Sequence, residues 1–375
     1  MLGSVAIRSL FRDRGKLATA LIGVIFSVVL VNVQGGLFLG LIRKASVLVD
    51  RSTADIWVGH RGMHSVDFPH DIPVRWGQRI AAINGVDEVS QMRVGFSEIS
   101  LPDGNYEGVV VVGVDPTSTI GHPYTIVDGH DDALRRPGGI IVDQCDAPQL
   151  SNPTIGTRRE IGGRGVRVTG QCFGVLSFVI TPYVFTTLHL AAELTAADPR
   201  DTSYFLVSIG EDVAANEVCQ RIESRIDGAT AMTADEFSST SVNFWMTRTG
   251  LGISFGAATM LGLFIGLVMV GQTLYAMVLD RITEFATLKA IGCSESEIVR
   301  VLVLQSATVA IIGIILGSGI SFLIRQTLST PQAEIRIPAA LYVASGSIVF
   351  VICLFASALP YWRVRRVDPH TILQA

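Results

Sequence analysis

Charge is scarce in this chain of 375 residues. Only 17% are Asp, Glu, Lys or Arg, where a soluble globular domain carries roughly a quarter. The formal net charge is -4, so there is no basic surplus of the kind a nucleic-acid-binding protein presents. Catalytic signatures are missing as well. No G-x-x-x-x-G-K-[ST] loop occurs to cradle a nucleotide phosphate, and no H-E-x-x-H to hold zinc. The five cysteines contain no C-x-x-C pair, which removes thioredoxin-type redox chemistry. Enzymatic chemistry within the chain is therefore unsupported.

The apolar residues make up 49% of the sequence and are gathered into long runs. A membrane-crossing helix needs roughly 20 mostly apolar residues. Four windows meet that length: 17–42, 251–279, 299–324 and 339–362. The first is too long for the core of a signal peptide, and no small-residue cleavage site ends it, so it reads as a retained anchor. Between them lie a tail over 1–16, a segment of ordinary soluble composition over 43–250, a charged patch over 280–298, a short loop over 325–338 and a tail over 363–375. The tail before the first run places Val5, Ile7, Leu10 and Phe11 among Arg8, Arg12, Arg14 and Lys16. That pattern suits an amphipathic helix lying on a membrane surface. Lys and Arg favour the cytoplasmic side, and they cluster in both tails and in the patch. Both termini and 280–298 are thus expected in the cytoplasm, with 43–250 outside it. The expected fold class is a polytopic α-helical membrane protein of four transmembrane helices, with a large α+β extracytoplasmic domain inserted between helices 1 and 2.

Within 43–250 the alternation of Ala54–Val58, Glu88–Leu101 and Gly108–Val114 predicts strands, and Pro73–Ile83 predicts a helix. Later, Tyr204–Ile209 and Ala229–Thr233 read as strands around an amphipathic helix over Asp212–Ile226. Two split β-α-β units packed in one sheet are expected, with a smaller β subdomain over Gly138–Leu188 inserted between them. His60, His64, Asp67, His70 and Asp71 match no zinc spacing and read as a solvated loop. The IGGRGVRV stretch, with Gly162, Gly163 and Gly165, reads as a turn. Cys145, Cys172 and Cys219 fall in this domain, where a Cys145–Cys172 disulfide and free buried thiols are both open readings. In the apolar runs, Gly36/Gly40, Gly252/Gly256, Gly262/Gly266 and Gly313/Gly317 each stand four apart, the spacing that lets helices approach closely in lipid.

The patch is where the chain would meet a cytosolic partner. Arg281, Glu284 and Leu288 share one helical face, and Ile282, Phe285, Ala286 and Lys289 the next. Gly292 suits a helix end, and Ser294 followed by Glu297 is a capping-box signature for the helix that enters the third run. Spacing alone leaves an ordinary hairpin equally open.

RITEFATLKAIGCSESEIVRVLVLQS resembles the signature of FtsX/MacB-type ABC transporter permeases through Arg281, Glu284, Lys289, Ala290, Ile291 and Gly292. Gln305 stands where many members have Glu. AIRSLFRDRGK is similar to the family's N-terminal amphipathic helix, and RRVDPHTILQA to its terminal segment through Asp368, Pro369 and Leu373. GVVVVGVDP, GGIIVD and DVAANEVCQRI resemble the course of its outer domain, and the layout is closest to DevC-like permeases. The resemblance implies an ATPase-coupling role for Arg281, Glu284, Phe285, Leu288, Lys289, Ala290, Ile291, Gly292, Asp368 and Pro369. It implies no cofactor bound directly, with ATP and Mg²⁺ held by a separate ABC ATPase present in two copies. It further implies a second permease copy, a membrane fusion (adaptor) protein and an outer-membrane channel, and no metal site. Export of a lipid, glycolipid or hydrophobic compound from the cell inner membrane is then the leading expectation. An FtsX-like signalling protein that regulates a cell-wall hydrolase is the alternative.

Overall fold

The computed structural model describes residues 14–130, 132–179, 181–211, 213–280 and 294–358. The chain divides into two compact units, one formed by Leu41–Leu251 and the other by Met1–Gly40 with Gly252–Ala375. The elements begin with helix α1 (Arg14–Lys44), short helix α2 (Val47–Arg51), strands β1 (Ile56–His60) and β2 (Ile72–Pro73), and helix α3 (Trp76–Ala81). Strands β3 (Val86–Ser100), β4 (Tyr106–Val114), β5 (Ile126–Gly129), β6 (Gly139–Asp143), β7 (Arg158–Ile161), β8 (Arg164–Cys172) and β9 (Tyr183–Thr187) follow. Then come α4 (Leu188–Leu194), β10 (Asp201–Thr202), β11 (Tyr204–Ile209), α5 (Ala215–Arg225), β12 (Ala229–Thr233) and α6 (Ala234–Arg248). Helices α7 (Leu251–Asp280), α8 (Glu295–Leu328) and α9 (Ala339–Ala356) complete the described chain.

In the Leu41–Leu251 unit, four strands lie in the order β12-β1-β11-β3, all antiparallel to their neighbours. Taken in chain order as first, second, third and fourth, the strands sit 4-1-3-2, the arrangement of a split β-α-β fold. Their crossing helices pack on one face. Trp76 and Ile80 of α3 and Val218 and Ile222 of α5 share a core with Ile56, Val58, Phe205 and Val207. Helix α5 exposes polar residues on its outer side, so burial of its apolar stripe, rather than propensity, holds it in place.

The expected separate β subdomain is not what forms. Between β3 and β11 the chain extends the same sheet, in the order β3-β4-β9-β6-β8-β5. β4 pairs β3 along its length, from Met92↔Val114 to Ser100↔Tyr106, and β9 joins β4 in parallel. The physical reason lies in the valine run. Val109 and Val111 enter one core with Ile140 and Ala191, while Val110, Val112 and Val114 enter another with Trp57, Phe185 and Phe237. A strand buried on both faces belongs inside a sheet, not at a subdomain edge. Gly162 and Gly163 have φ of +54° and +76° and form the two-residue tip of the β7–β8 hairpin, where Ile161 pairs Arg164. The turn reading of that stretch describes its tip.

In the other unit, α1, α7, residues Val299–Leu328 of α8, and α9 are each long and apolar enough to cross a membrane. Residues 1–13 and those beyond 358, where the amphipathic tail and the end of the fourth run were expected, lie outside the described residues. Helix α1 is the hub. Leu17, Ala20, Val24 and Val28 share one core with Val270 and Leu274 of α7, Val309 and Ala310 of α8, and Val349 and Cys353 of α9.

Candidate functional site at the seams of the helical bundle

Lipid offers no hydrophobic drive for helix association, so close packing and interhelical hydrogen bonds must supply it. The glycine pairs show where. A Cβ on Gly262 of α7 would stand 2.2 Å from Leu30 Cδ2, and one on Gly266 only 2.0 Å from Ser27 Oγ. On α8, a Cβ at Gly313 would meet Val24 Cγ1 at 2.5 Å, and one at Gly317 would meet Val28 Cβ at 2.8 Å. Two neighbouring helices thus lie against successive turns of α1. Ser27 Oγ donates to Gly262 O at 3.0 Å, a bond that only such proximity permits.

The other two pairs behave differently. Gly36 and Gly40 accommodate the 329–338 loop instead of a helix. Arg336 N–H donates to Gly36 O at 3.0 Å, and a Cβ on Gly40 would fall 1.9 Å from Glu334 O. Gly256 has nothing within 4 Å of where its Cβ would be. Gly252–Gly256 also spells G-x-S-x-G, the spacing of a hydrolase nucleophile elbow, but it lies in the first turns of α7 and not in a strand-to-helix turn.

Deeper in the bundle, Asn32 is fully buried and joins three helices. Its Nδ2 donates to Ser321 Oγ at 3.4 Å, and its Oδ1 accepts from Ser345 Oγ at 2.7 Å. Such a bond in a membrane interior contributes about 0.6–1.7 kcal/mol, and it fixes the register of α1 against α8 and α9. Sequence reasoning passed over Asn32. The available signal was an Asn amide, with Gln34 two residues on, in the middle of a mostly apolar run.

All ten residues expected to couple to an ATPase lie outside the described residues: Arg281, Glu284, Phe285, Leu288, Lys289, Ala290, Ile291, Gly292, Asp368 and Pro369. The frame around the patch is described. At the end of α7, Asp280 forms an ion pair with Lys16 of α1. At the start of α8, the Glu297 carboxylate accepts from Ser294 N–H at 2.9 Å and from Ser294 Oγ at 3.1 Å. Those bonds hold the Glu297 carboxyl below its ordinary range. The Glu297 limb of the expected capping box is thus made, and it fixes where α8 begins. Both helices that carry the patch therefore end beside fixed points, and both are packed on α1.

In the α+β unit, the His60–Asp71 stretch is only partly solvated. Asp67 is fully buried and accepts from the Tyr183 hydroxyl, while Asp67 Oδ2 has no hydrogen-bond partner. Burial raises its carboxyl to about 6, against the lowering effect of the Tyr183 bond. Among the described residues no group of three His, Cys, Asp or Glu could hold a metal ion. Among the described residues no disulfide joins Cys145 to Cys172. Both lie beside Asp143 instead, which accepts from Cys145 N–H at 2.8 Å and from Cys172 Sγ at 3.6 Å.

The family model described as "FtsX-like permease C-terminal" matches residues 256–369. An uncharacterized ABC transporter permease of Mycobacterium tuberculosis (strain CDC 1551 / Oshkosh) is 24% identical over 376 residues, which is 97% of each chain. Another, from Mycobacterium bovis (strain ATCC BAA-935 / AF2122/97), is 31% identical over 230 residues, 60% of each chain. Among solved structures, the periplasmic region of MacB from Actinobacillus actinomycetemcomitans aligns at a TM-score of 0.40 and 11% identity, over 53% of this chain and 94% of that one. The extracellular domain of the noncanonic ABC-type transporter YknZ from Gram-positive bacteria aligns at 0.36 and 13%, over 48% and 98%. The family model thus covers the stretch that holds most of α7 and all of α8 and α9, and an ABC transporter permease aligns along nearly the whole chain, so the chain is similar to FtsX-like permeases of ABC transporters.

Proposed function

We propose that the protein is the membrane subunit of an ABC exporter in the cell inner membrane, and that it couples ATP hydrolysis by a separate ATPase to movement of its α+β unit. The observation that carries this reading is the double seam on α1. The helices on either side of the 281–293 patch both pack against α1 through glycines, and α1 leads by continuous chain into the α+β unit. A push on the patch would therefore be resisted by packed helices and passed on, instead of being absorbed in a flexible hairpin. Arg281, Glu284, Phe285, Leu288, Lys289, Ala290, Ile291 and Gly292, with Asp368 and Pro369, are the residues assigned to the ATPase contact. The distribution of Lys and Arg supports placing both termini and the patch in the cytoplasm. Two permease copies, two ATPase copies that hold ATP and Mg²⁺, a membrane fusion protein and an outer-membrane channel would complete the assembly, with a lipid, glycolipid or hydrophobic compound as cargo.

Glu284→Lys and Gly292→Val should abolish ATPase recruitment and export while leaving membrane insertion intact. If both variants still recruit an ATPase and transport, the coupling assignment is wrong. Orientation is read by labelling Asn105→Cys and Ser296→Cys, both at exposed positions, in a cysteine-free background with an impermeant reagent on intact cells. Labelling of the second but not the first would overturn the topology. Co-purification identifies the assembly: an adaptor protein supports export, whereas a cell-wall hydrolase in its place would replace export with signalling.

A further inference from the structure

We infer that the α+β unit carries an oxyanion-binding cleft, built from Arg136, Arg158, Arg159 and Arg167, that takes a phosphate-bearing ligand. The cleft has a volume of about 610 Å³ and is lined by these four arginines with Gly138, Gly156, Gly165 and Thr169 among its other residues. Among the described residues no carboxylate lines it. The volume lies within the usual range for small-ligand sites, roughly 300–1,000 Å³.

Three observations set this cleft apart from a solvated basic face. Arg158 of β7 and Arg167 of β8 stand directly opposite each other in the antiparallel ladder. Like charges in that position destabilise a strand pair, and an anion between them reverses the sign. Arg159 Nε is buried without a hydrogen-bond partner, although Arg159 Nη1 donates to Arg158 O at 3.2 Å. A buried donor left unmatched is costly unless a ligand accepts from it. Finally, among the described residues the arginines of this cleft lack close ion pairs. Arg136 reaches Asp132 only at 3.9 Å, whereas elsewhere in the unit Arg200 meets Asp198 at 2.8 Å and Arg221 meets Glu217 at 2.9 Å.

The chemistry of the four side chains selects the ligand class. Guanidinium groups present planar forks that match phosphate oxygens two at a time. Each phosphate group carries about -1.5 to -2 charge near neutral pH, so a diphosphate or a clustered phosphate comes close to neutralising the four cations. Gly156 and Gly165 have nothing within 4 Å of where a Cβ would be, which leaves the rim open to a group larger than the phosphate itself. Soluble phosphates and the headgroup of an anionic lipid share this chemistry.

The test uses the full chain in phosphatidylcholine nanodiscs without any ATPase, so its result is separate from that of the coupling assignment. Inorganic pyrophosphate and soluble dihexanoyl phosphatidic acid are titrated calorimetrically in turn. Saturable binding of at least one probe is expected, weakening at least tenfold in the Arg158→Ala/Arg167→Ala double variant. The Arg158→Lys/Arg167→Lys variant keeps the charge but not the fork, and should fall between. Preference for pyrophosphate would mark a soluble ligand, and preference for phosphatidic acid a lipid headgroup. Without ligand, the double alanine variant should melt no lower than the parent, because a repulsive pair has gone. Pyrophosphate or phosphatidic acid should then raise the melting temperature of the parent alone. Absence of binding by both probes, or undiminished binding by the double alanine variant, would overturn the inference.

Discussion

The seam between α1 and α7 makes a signed prediction about a single methyl group. Gly266→Ala would place Cβ 2.0 Å from Ser27 Oγ and 2.9 Å from Ser27 Cβ, roughly 1.5 Å and 0.6 Å inside ordinary contact. Ser27 cannot simply rotate away. Its hydroxyl is held by Gly262 O at 3.0 Å and Gly23 O at 3.1 Å, and its Cβ would still collide. The helices must therefore separate, at an overpacking cost of about 1–3 kcal/mol and with loss of an interhelical hydrogen bond of about 0.6–1.7 kcal/mol. Against this, Ala gains about 1 kcal/mol over Gly in a helix interior. The net effect is a destabilisation of about 1–3 kcal/mol. Gly256→Ala on the same helix meets nothing within 4 Å, so only the propensity gain remains, up to about 1 kcal/mol of stabilisation. Reversible unfolding in mixed micelles, followed by circular dichroism, should separate the two variants by about 1–4 kcal/mol with opposite signs. If they shift stability equally, α1 and α7 are not in contact at Gly266.

Other outcomes follow from the same structure. Asp67 has its carboxyl raised to about 6 by burial, so the stability it contributes is full below about pH 4 and is lost as pH rises through 6. By linkage the loss is roughly 3 kcal/mol, and Asp67→Asn should flatten that part of a denaturation-against-pH curve. A parent-to-variant difference that stays constant from pH 4.5 to 7.5 would contradict it. Thr233 accepts from Glu236 N–H at 3.2 Å at the start of α6; Thr233→Ala should cost about 1 kcal/mol, seen as a melting temperature lowered by a few degrees. Lys16 and Asp280 are 28% and 59% exposed, so Lys16→Ala should cost no more than about 1 kcal/mol in chemical denaturation. A larger loss would show the pair to be shielded from water in the membrane.

The membrane helices were legible because length and apolarity alone decide what can cross a bilayer. Strands β11 and β12 coincide with the stretches their alternation marks, Tyr204–Ile209 and Ala229–Thr233. What alternation cannot carry is long-range pairing. The parallel pairing of β4 with β9, Val110↔Tyr183 to Val114↔Thr187, turned an expected subdomain into more of one sheet, and no local signal announces it. The same limit explains the glycines. Spacing shows that Gly36 and Gly40 want close company, but not that the company is the 329–338 loop. Asp67 was misread because Gly62, Pro69 and three histidines surround it in sequence, whereas its burial depends on Tyr183. The arginine cleft draws on β7, β8 and the turn at Arg136, and only the hairpin register sets Arg158 against Arg167. The 281–293 patch lies outside the described residues, and its assignment to coupling rests on the family resemblance; what the sequence marked and the fold contains is the Glu297 limb of the cap at Ser294.

The position of α1 in the chain also fixes the order of assembly. Ser27 and Asn32 find their partners on α7, α8 and α9, residues that leave the ribosome after the whole α+β unit. At about 5–20 residues per second, α1 waits on the order of 10–50 s before Gly262 and Gly266 exist. During that interval it is a lone apolar helix with an unmatched Asn amide and an unfilled packing surface. An α+β unit that folded in the meantime would bring the two chain ends at Lys44 and Leu251 to a defined separation, shortening the search of α7 for α1. Biogenesis of this protein is then a race between closing a long loop and losing α1 to a membrane chaperone or protease. A lesion in the sheet of the α+β unit would be felt first as scarcity of the helical bundle.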